Sequence, residues 1–358
     1  NSKRKVNIVY IIGESALLRI KEPKSIIDNK KYLIDFANLK QGLILNQKNF
    51  IDKKKLNIFF KNSCLGIPML LPTNIKYFNY DKLIKRDIFK VSKKQIGEKI
   101  FITKKHNYGP LNNFFSNGNV FCSNATLKTR FKKYVDQIIN FNSNLKDKIK
   151  SLKKKGKIIG AFQTRNIPHL GHEKIISKLL QECDYVFINP VIGVKKKGDA
   201  RTIVLKKVYD YLIKKYYGSK VIFSPVYASM FYAGPREAIH HALIRQNLGF
   251  DKFVIGRDHA GSENIYDPLE AFKYAKKYQK KLKIKLLPLR GSYYCNRCKK
   301  VMISGECEKN LIYSVCKKNL KVISGTNFRK CLLKKEIFNF AREDLQNYIR
   351  SLKLQLFY

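Results

Sequence analysis

Between residues 140 and 290, short apolar runs alternate with longer segments whose apolar positions recur every three or four residues. The runs "KIIGAF" (157–162), "YVFINPVIG" (185–193), "KVIFSPVYA", "DKFVIG" (251–256) and "KIKLLPL" read as strands. The segments between them read as helices. In "HLGHEKIISKLLQEC", Ile175, Ile176, Leu179 and Leu180 fall on one face. "ARTIVLKKVYDYLIKKYY" is preceded by Asp199 as a cap and ends at Gly218. "GPREAIHHALIRQNLG" has Pro235 in its first turn and Gly249 past its end. "DPLEAFKYAKKYQKKL" supplies the last helix. Strands alternating with helices of this length predict an α/β fold with a Rossmann-like parallel sheet and right-handed crossovers.

Residues 1–139 follow a different rhythm. Short apolar runs such as "VNIVYII", "GLILNQKNFI" (42–51), "LNIFF" (56–60) and "GIPMLL" (66–71) are separated by polar turns. That predicts a mostly β N-terminal domain with one or two helices. The first apolar run is short, is followed by Glu14 and has no small-residue cleavage pattern, so it reads as a strand rather than a signal peptide. Residues 291–358 are expected to form a small C-terminal domain.

Hydrophobic residues make up 44% of the 358, as in a globular protein. No apolar run is long enough to cross a membrane, and a cytoplasmic location is expected. The formal net charge of +47 brings nucleic acid to mind. The charge, however, is scattered: "KKKL" at 53–56, "KKK" at 153–155 and 195–197, "KKYQKKLKIK" at 276–285. Together with the absence of Trp and the abundance of Asn, Ile and Tyr, this reads as a solvated basic surface shaped by compositional drift. No specific nucleic-acid partner is expected.

The chemistry concentrates in "QTRNIPHLGHE" (163–173), which follows the first strand of the alternating region. In parallel sheets ligands bind beyond the carboxyl ends of the strands. His169 starts a helix and His172 lies one turn on, so both rings can face one side. The N–H groups and dipole at a helix start attract phosphate. Gly171 clears space there for a nucleotide. "GRDHAG" (256–261) leaves the fourth strand in the same way. His240 and His241, in mid-helix, are assigned to packing or surface, and His106 has no supporting neighbours. No G-x₄-G-K-[ST] string occurs, so no P-loop kinase is expected.

"HLGH" with "ISGTNFR" (323–329) resembles the nucleotidylyltransferase superfamily. "FQTRNIPHLGHE", "YAGPREAIHHALIRQNLGFDKFVIGRDHAG" and "CNRCKK…ISGTNFR" narrow the resemblance to the ATP sulfurylase family, over about residues 155–330. The resemblance implies three domains: a PUA-like one at 1–139, the catalytic nucleotidylyltransferase domain at 140–290 and a zinc-containing one at 291–358. It also implies the reaction ATP plus sulfate giving adenosine 5′-phosphosulfate and diphosphate, with Mg²⁺ accompanying ATP, and a homo-oligomer, taken as a dimer. Gln163, Arg165 and the Ala260 amide would hold sulfate. Thr164, Arg165 and Asn166 would form the catalytic loop, and His169 and His172 would stabilise charge at the phosphates. Gln163, Thr164, Arg165 and Asn166 would join Gly256, Arg257, Asp258 and His259 around the nucleotide. The family's Asn-Pro-x-His reads Asn166-Ile167-Pro168-His169 here, with the Asn-to-His spacing kept. Two other readings are a nucleotidylyltransferase acting on another acid and a basic nucleic-acid-binding protein. The first lacks a use for "QTRN"; the second leaves the ordered loops without a purpose.

Half of the eight cysteines crowd into Cys295-x₂-Cys298-x₈-Cys307-x₈-Cys316. A Cys-x₂-Cys knuckle with two later cysteines suits a structural tetrahedral Zn²⁺. The family's following histidine is absent, and Cys316 is the substitute at hand; four reduced thiols without metal is the competing reading.

Overall fold

The computed structural model describes residues 30–44, 49–61, 65–73, 88–105, 107–114, 121–123, 132–303 and 319–358. The expected N-terminal strand, His106, Cys307 and Cys316 lie outside them.

Residues 30–131 contribute α1 (Lys30–Lys40), α2 (Lys53–Lys61), β1 (Pro72–Thr73), β2 (Ile88–Lys90), α3 (Lys93–Lys99), α4 (Gly109–Phe114) and β3 (Phe121–Ser123). The strands form one antiparallel sheet in the order β1-β3-β2. Helices thus outweigh strands among the described residues, which do not confirm the mostly β expectation. "LNIFF" is helical within α2 because the Asp52 carboxylate accepts the Lys55 N–H at 2.7 Å, capping the turn. Leu56 and Phe59 then fall on one buried face. Residues 42–44 and 49–51 form turn and loop rather than strand. "GIPMLL" runs irregularly into β1, with Ile67, Met69, Leu70 and Leu71 buried.

The long helix α5 (Lys132–Lys154) crosses residue 139 and leads into the central sheet. That sheet is built from β4 (Ile159–Phe162), β5 (Tyr185–Ile188), β7 (Val221–Phe223), β9 (Lys252–Ile255) and β10 (Lys285–Pro288). Its order is β10-β9-β4-β5-β7, parallel throughout. The connecting helices are α6 (Leu170–Leu180), α7 (Thr202–Tyr216), α8 (Gly234–Leu248) and α9 (Glu270–Tyr278). Two expected strands are each divided by a proline, which has no N–H for the ladder. Beyond Pro190 and Pro225 the chain resumes as β6 (Val191–Ile192) and β8 (Val226–Tyr227), paired with each other.

Side chains alternate across the sheet, so both faces are buried. Phe162, Val186, Ile188 and Val254 pack with α6 and α7 on one face. Ile159, Ala161, Phe187, Phe253 and Ile255 pack with α5, α8 and α9 on the other. Gly249 ends α8 at φ +101, a left-handed conformation that glycine adopts without a Cβ penalty. Asp199 does not cap α7. Ala200 pairs with Phe357, the helix starts after Arg201, and the Asp199 carboxylate accepts from the Tyr232 hydroxyl instead.

The chain closes with a three-stranded antiparallel sheet of β11 (Ser292–Cys295), β12 (Lys300–Ile303) and β13 (Leu320–Val322), then α10 (Gly325–Lys334) and α11 (Glu343–Ser351). The final residues fold back. Gly198 N–H donates to Tyr358 O, Tyr358 N–H to Asp199 O, and Arg201 N–H to Leu356 O. No described helix is long and apolar enough to cross a membrane.

Candidate active site

The strand order reverses between β4 and β9, where the chain departs to opposite faces of the sheet. A crevice opens there by topology alone. The loops leaving these two neighbouring strands, residues 163–169 and 256–261, form two walls of a cavity of about 250 Å³. Gln163, Thr164, Arg165, Asn166, His169, His172, Gly256, Arg257, Asp258, His259 and Ala260 all line it. Every expected sulfate, nucleotide and catalytic residue is thus brought to one place.

The sequence "HLGH" builds the histidine wall. The His169 N–H donates to Nδ1 of His172 at 3.3 Å. The two rings stack with centroids 3.8 Å apart. Both are buried, and burial holds the His169 ring down to about 4 and His172 well below its ordinary value. They are therefore neutral at physiological pH. With its Nδ1 accepting, the neutral His172 ring carries its proton on Nε2 and can donate there. Gly171 serves packing rather than a ligand. A Cβ on it would lie 2.1 Å from the Ser292 Oγ of β11.

The Arg165 guanidinium donates from one nitrogen to Gly261 O at 3.1 Å, while its other terminal nitrogen is buried without a hydrogen-bond partner among the described residues. Gln163 Oε1 and His169 Nδ1 are likewise buried and unpartnered. Polar atoms left unpaired in a polar cavity are positions where water or a ligand completes the bonding. The loop 256–261 carries further signs of constraint. Asp258 and Ala260 adopt φ values of 51° and 56°, which L-residues reach only where the surroundings impose them. Gly261 is required because a Cβ would meet the Asp258 carboxylate at 1.9 Å. Burial raises the Asp258 carboxyl, against the pull of Arg165, Arg257 and Lys196. Burial also holds His259 well below its usual value, helped by His241, Arg245 and Arg165.

The third wall lies in the C-terminal part. Ser324, Gly325, Thr326 and Arg329 of "ISGTNFR", together with Ser292, line the cavity. Ser324 caps α10, its hydroxyl accepting from Asn327 N–H. A Cβ on Gly325 would fall 2.9 Å from the Asn166 side chain, so this helix start packs directly on the 163–169 loop. The starts of α6 and α10 converge on the cavity beside Arg165, Arg257 and Arg329, an environment for a polyanion. The motif was visible in the sequence, but its spacing alone did not say that Arg329 reaches the site. Met230 and Ser292 had no such signal.

His240 and His241 are both buried, so the surface alternative is excluded. The His240 Nδ1 accepts from Ile67 N–H at 3.3 Å. The His241 Nδ1 is 3.1 Å from His259 Nε2, linking the helix to the site. Cys295 and Cys298 flank the β11–β12 turn, and the Cys298 N–H donates to Cys295 Sγ at 3.4 Å. No group of three or more metal-binding side chains occurs among the described residues.

A profile of the ATP-sulfurylase family matches residues 137–344. The chain belongs to the ATP-sulfurylase family. Among similar family members, sulfate adenylyltransferase of Pyrococcus abyssi is 33% identical over 301 residues, covering 77% of each chain. That of Persephonella marina is 30% identical over 311 residues, covering 79% of this chain and 80% of the relative. That of Hyperthermus butylicus reaches 44% over 179 residues, 50% of this chain and 44% of its own. Among solved structures, the hexameric APS kinase from Thiobacillus denitrificans superposes with a TM-score of 0.57 at 12% identity. It covers 90% of this chain and 62% of that one, a likeness of fold alone. Like the ATP-sulfurylase relatives, this chain is an enzyme.

Proposed function

We propose that this chain is a sulfate adenylyltransferase. A sulfate oxygen attacks the α-phosphorus of ATP in line, the bond from the α-phosphorus to the bridging oxygen breaks, and diphosphate leaves with that oxygen. The other product is adenosine 5′-phosphosulfate, and the same site runs the reaction in reverse. The observation that carries this reading is the convergence of Gln163, Arg165 and the 256–261 loop on one cavity with His169 and His172.

In this reading Gln163, Arg165 and the Ala260 amide seat the sulfate. The planar donor fork of Arg165 matches a multi-oxygen anion. Sulfate is a weak nucleophile, so the rate comes from holding it in line and from stabilising growing charge. The loop of Thr164, Arg165 and Asn166 faces the α-phosphate. His172 offers its Nε2–H to phosphate oxygens without a positive charge to lose, and each such donor contributes about 3 kcal/mol to the transition state. Gly256, Arg257, Asp258 and His259 border the nucleotide, which enters as its magnesium complex. No side chain becomes covalently attached.

The division into a PUA-like domain at 1–139, a catalytic domain at 140–290 and a C-terminal domain at 291–358 belongs to this proposal. So do a structural Zn²⁺ on Cys295, Cys298, Cys307 and Cys316, a homodimer and a cytoplasmic location. Purified protein should retain about one zinc per chain and run as a dimer in light scattering. The deciding assay is release of diphosphate from ATP. It should require sulfate, and molybdate, a tetrahedral mimic, should also provoke ATP breakdown. Arg165→Ala should abolish both. Turnover with an organic acid but not with sulfate or molybdate would assign the cavity to another acceptor.

A further inference from the structure

The turn that precedes α8 is held more tightly than its length demands. Tyr232, a bulky residue, sits at φ 57, in the left-handed region, and Gly234 follows at φ 52. Gly234 cannot be replaced, because a Cβ there would lie 2.5 Å from the Tyr266 ring. Separate anchors keep Tyr232 in this conformation. The Glu237 carboxylate accepts the N–H groups of Phe231 and Ala233, each at 2.8 Å. The Tyr108 hydroxyl donates to the Tyr232 carbonyl. The Tyr232 hydroxyl donates to Asp199 Oδ2 at 2.9 Å, and the Gly234 N–H donates to Ala260 O at 3.2 Å. A strained residue persists only where its surroundings over-determine it, and such strain gathers at working sites.

What the strain achieves is visible around the ring. The Arg165 guanidinium carbon lies 5.7 Å from its centroid and Lys196 Nζ lies 4.8 Å from it. Lys196 also donates to Ser262 Oγ at 2.8 Å, just past the 256–261 loop. Two cations therefore share one aromatic ring; the Asp199 carboxylate accepts from the ring's hydroxyl, and Asp258 is a second carboxylate close enough to feel both cations. One Asp199 oxygen has no hydrogen-bond partner among the described residues. The second terminal nitrogen of Arg165 is equally unpaired among the described residues. Placing two positive charges on one plate makes sense if an anion of matching charge completes the group.

We infer that Tyr232 is a positioning residue of the acceptor pocket. Its ring is the plate that aims Arg165, Asp199 tethers that plate, and Lys196 beside it tunes the pocket for a doubly charged tetrahedral oxyanion. This rests on the adenylyl-transfer reading, and it adds residues that neither "QTRN" nor "GRDHAG" contains. Tyr232 does not touch the reacting atoms in this scheme; it acts through Arg165.

The test uses the full chain and separates the two substrates. Tyr232→Leu should raise the KM for sulfate about tenfold while the KM for ATP stays within about twofold, the scale of a desolvated cation–π contact. Tyr232→Phe keeps the plate and loses only the tether, so its rise should be smaller. Lys196→Gln should weaken binding of inorganic sulfate more than that of perchlorate, a singly charged tetrahedron. Parallel rises in both KM values, or an unchanged sulfate KM in folded Tyr232→Leu, would overturn the inference. Should Tyr232→Leu fail to fold, an unchanged sulfate KM in both Tyr232→Phe and Lys196→Gln overturns it as well. If the wild type releases no diphosphate with sulfate, the functional reading falls. Calorimetric titration with inorganic sulfate then decides the inference alone: weaker binding in the variants supports it, and equal or absent binding in all forms sinks it.

Discussion

The Nε of Arg342, at the start of the last helix, donates to the Glu173 carboxylate at 2.7 Å, and Glu173 directly follows His172 in the chain. The first turn of the histidine helix is thereby pinned from the far end of the sequence. A second tie runs alongside, from Leu170 N–H to Phe340 O at 2.8 Å.

Removing this pin should loosen the histidines. Arg342→Leu leaves Glu173 buried with, among the described residues, the Tyr217 hydroxyl at 3.3 Å as its remaining side-chain partner. The expected loss is about 2 kcal/mol of stability, below the full buried-pair value because Arg342 is partly exposed. Turnover should fall more than ATP binding. Adding Glu173→Gln should recover stability; a double-mutant cycle in urea with no coupling between the two sites would contradict the link.

The packing role of Gly171 gives a sharper expectation. Gly171→Ala should cut turnover at least tenfold, because the new methyl meets Ser292 Oγ and the edge of His169. Ser292→Gly in the same chain removes the main obstacle and should restore part of the rate. Lack of any rescue, judged from kcat in folded double variant, would mean that Gly171 is needed for a ligand instead.

Buried histidines set the response to acid. His169 is held down to about 4 and His240 to about 3, while His172, His241 and His259 lie well below 6.5, in each case chiefly through burial. A base whose folded pKa is depressed contributes stability that is complete above the unfolded value near 6.5 and drains away as pH falls toward the folded one. Each costs about 1.4 kcal/mol per pH unit inside that window. Asp35, pushed up to about 6 by burial, works in the opposite sense, as do Glu237 and Asp258. Five bases against three acids should leave a net fall in unfolding free energy between pH 6.5 and 5. NMR of the ring carbons should show His169 and His172 neutral down to about pH 5; a midpoint near 6.5 for either would refute their burial in the neutral form.

His240→Ala separates scaffold from site. The ring accepts the buried Ile67 N–H and packs against Phe231 with centroids 5.8 Å apart. Its loss should cost about 2 kcal/mol, mostly for the unsatisfied N–H. Sulfate and ATP KM values of the folded variant should stay within about twofold of wild type. A thermal melt and steady-state kinetics on the same preparation check both halves.

The α/β half was legible because its strands are buried on both faces and its helices carry clear start and stop residues. Gly249 and Pro235 stand where their conformational preferences place them, and "QTRN" with "GRDHAG" fell at the strand ends that parallel topology requires. What the sequence hid was set by long-range contacts. Asp199 looked like a cap until Phe357 drew Ala200 into a bridge and moved the helix start. Gly171 looked like ligand space until β11 placed Ser292 against it. "LNIFF" has strand composition, but Asp52 and the lysines ahead of it close a helical turn first. Tyr232 carries no signal in one dimension, since its conformation is imposed by Tyr108 and Asp199 from two distant segments together with Glu237 of the helix that follows.

The reversal of strand order between β4 and β9 has an evolutionary corollary. The cleft is a property of the chain's path, present before any side chain furnishes it. Substitutions elsewhere on the exterior can therefore accumulate without closing this opening, provided the two loops that border it are spared.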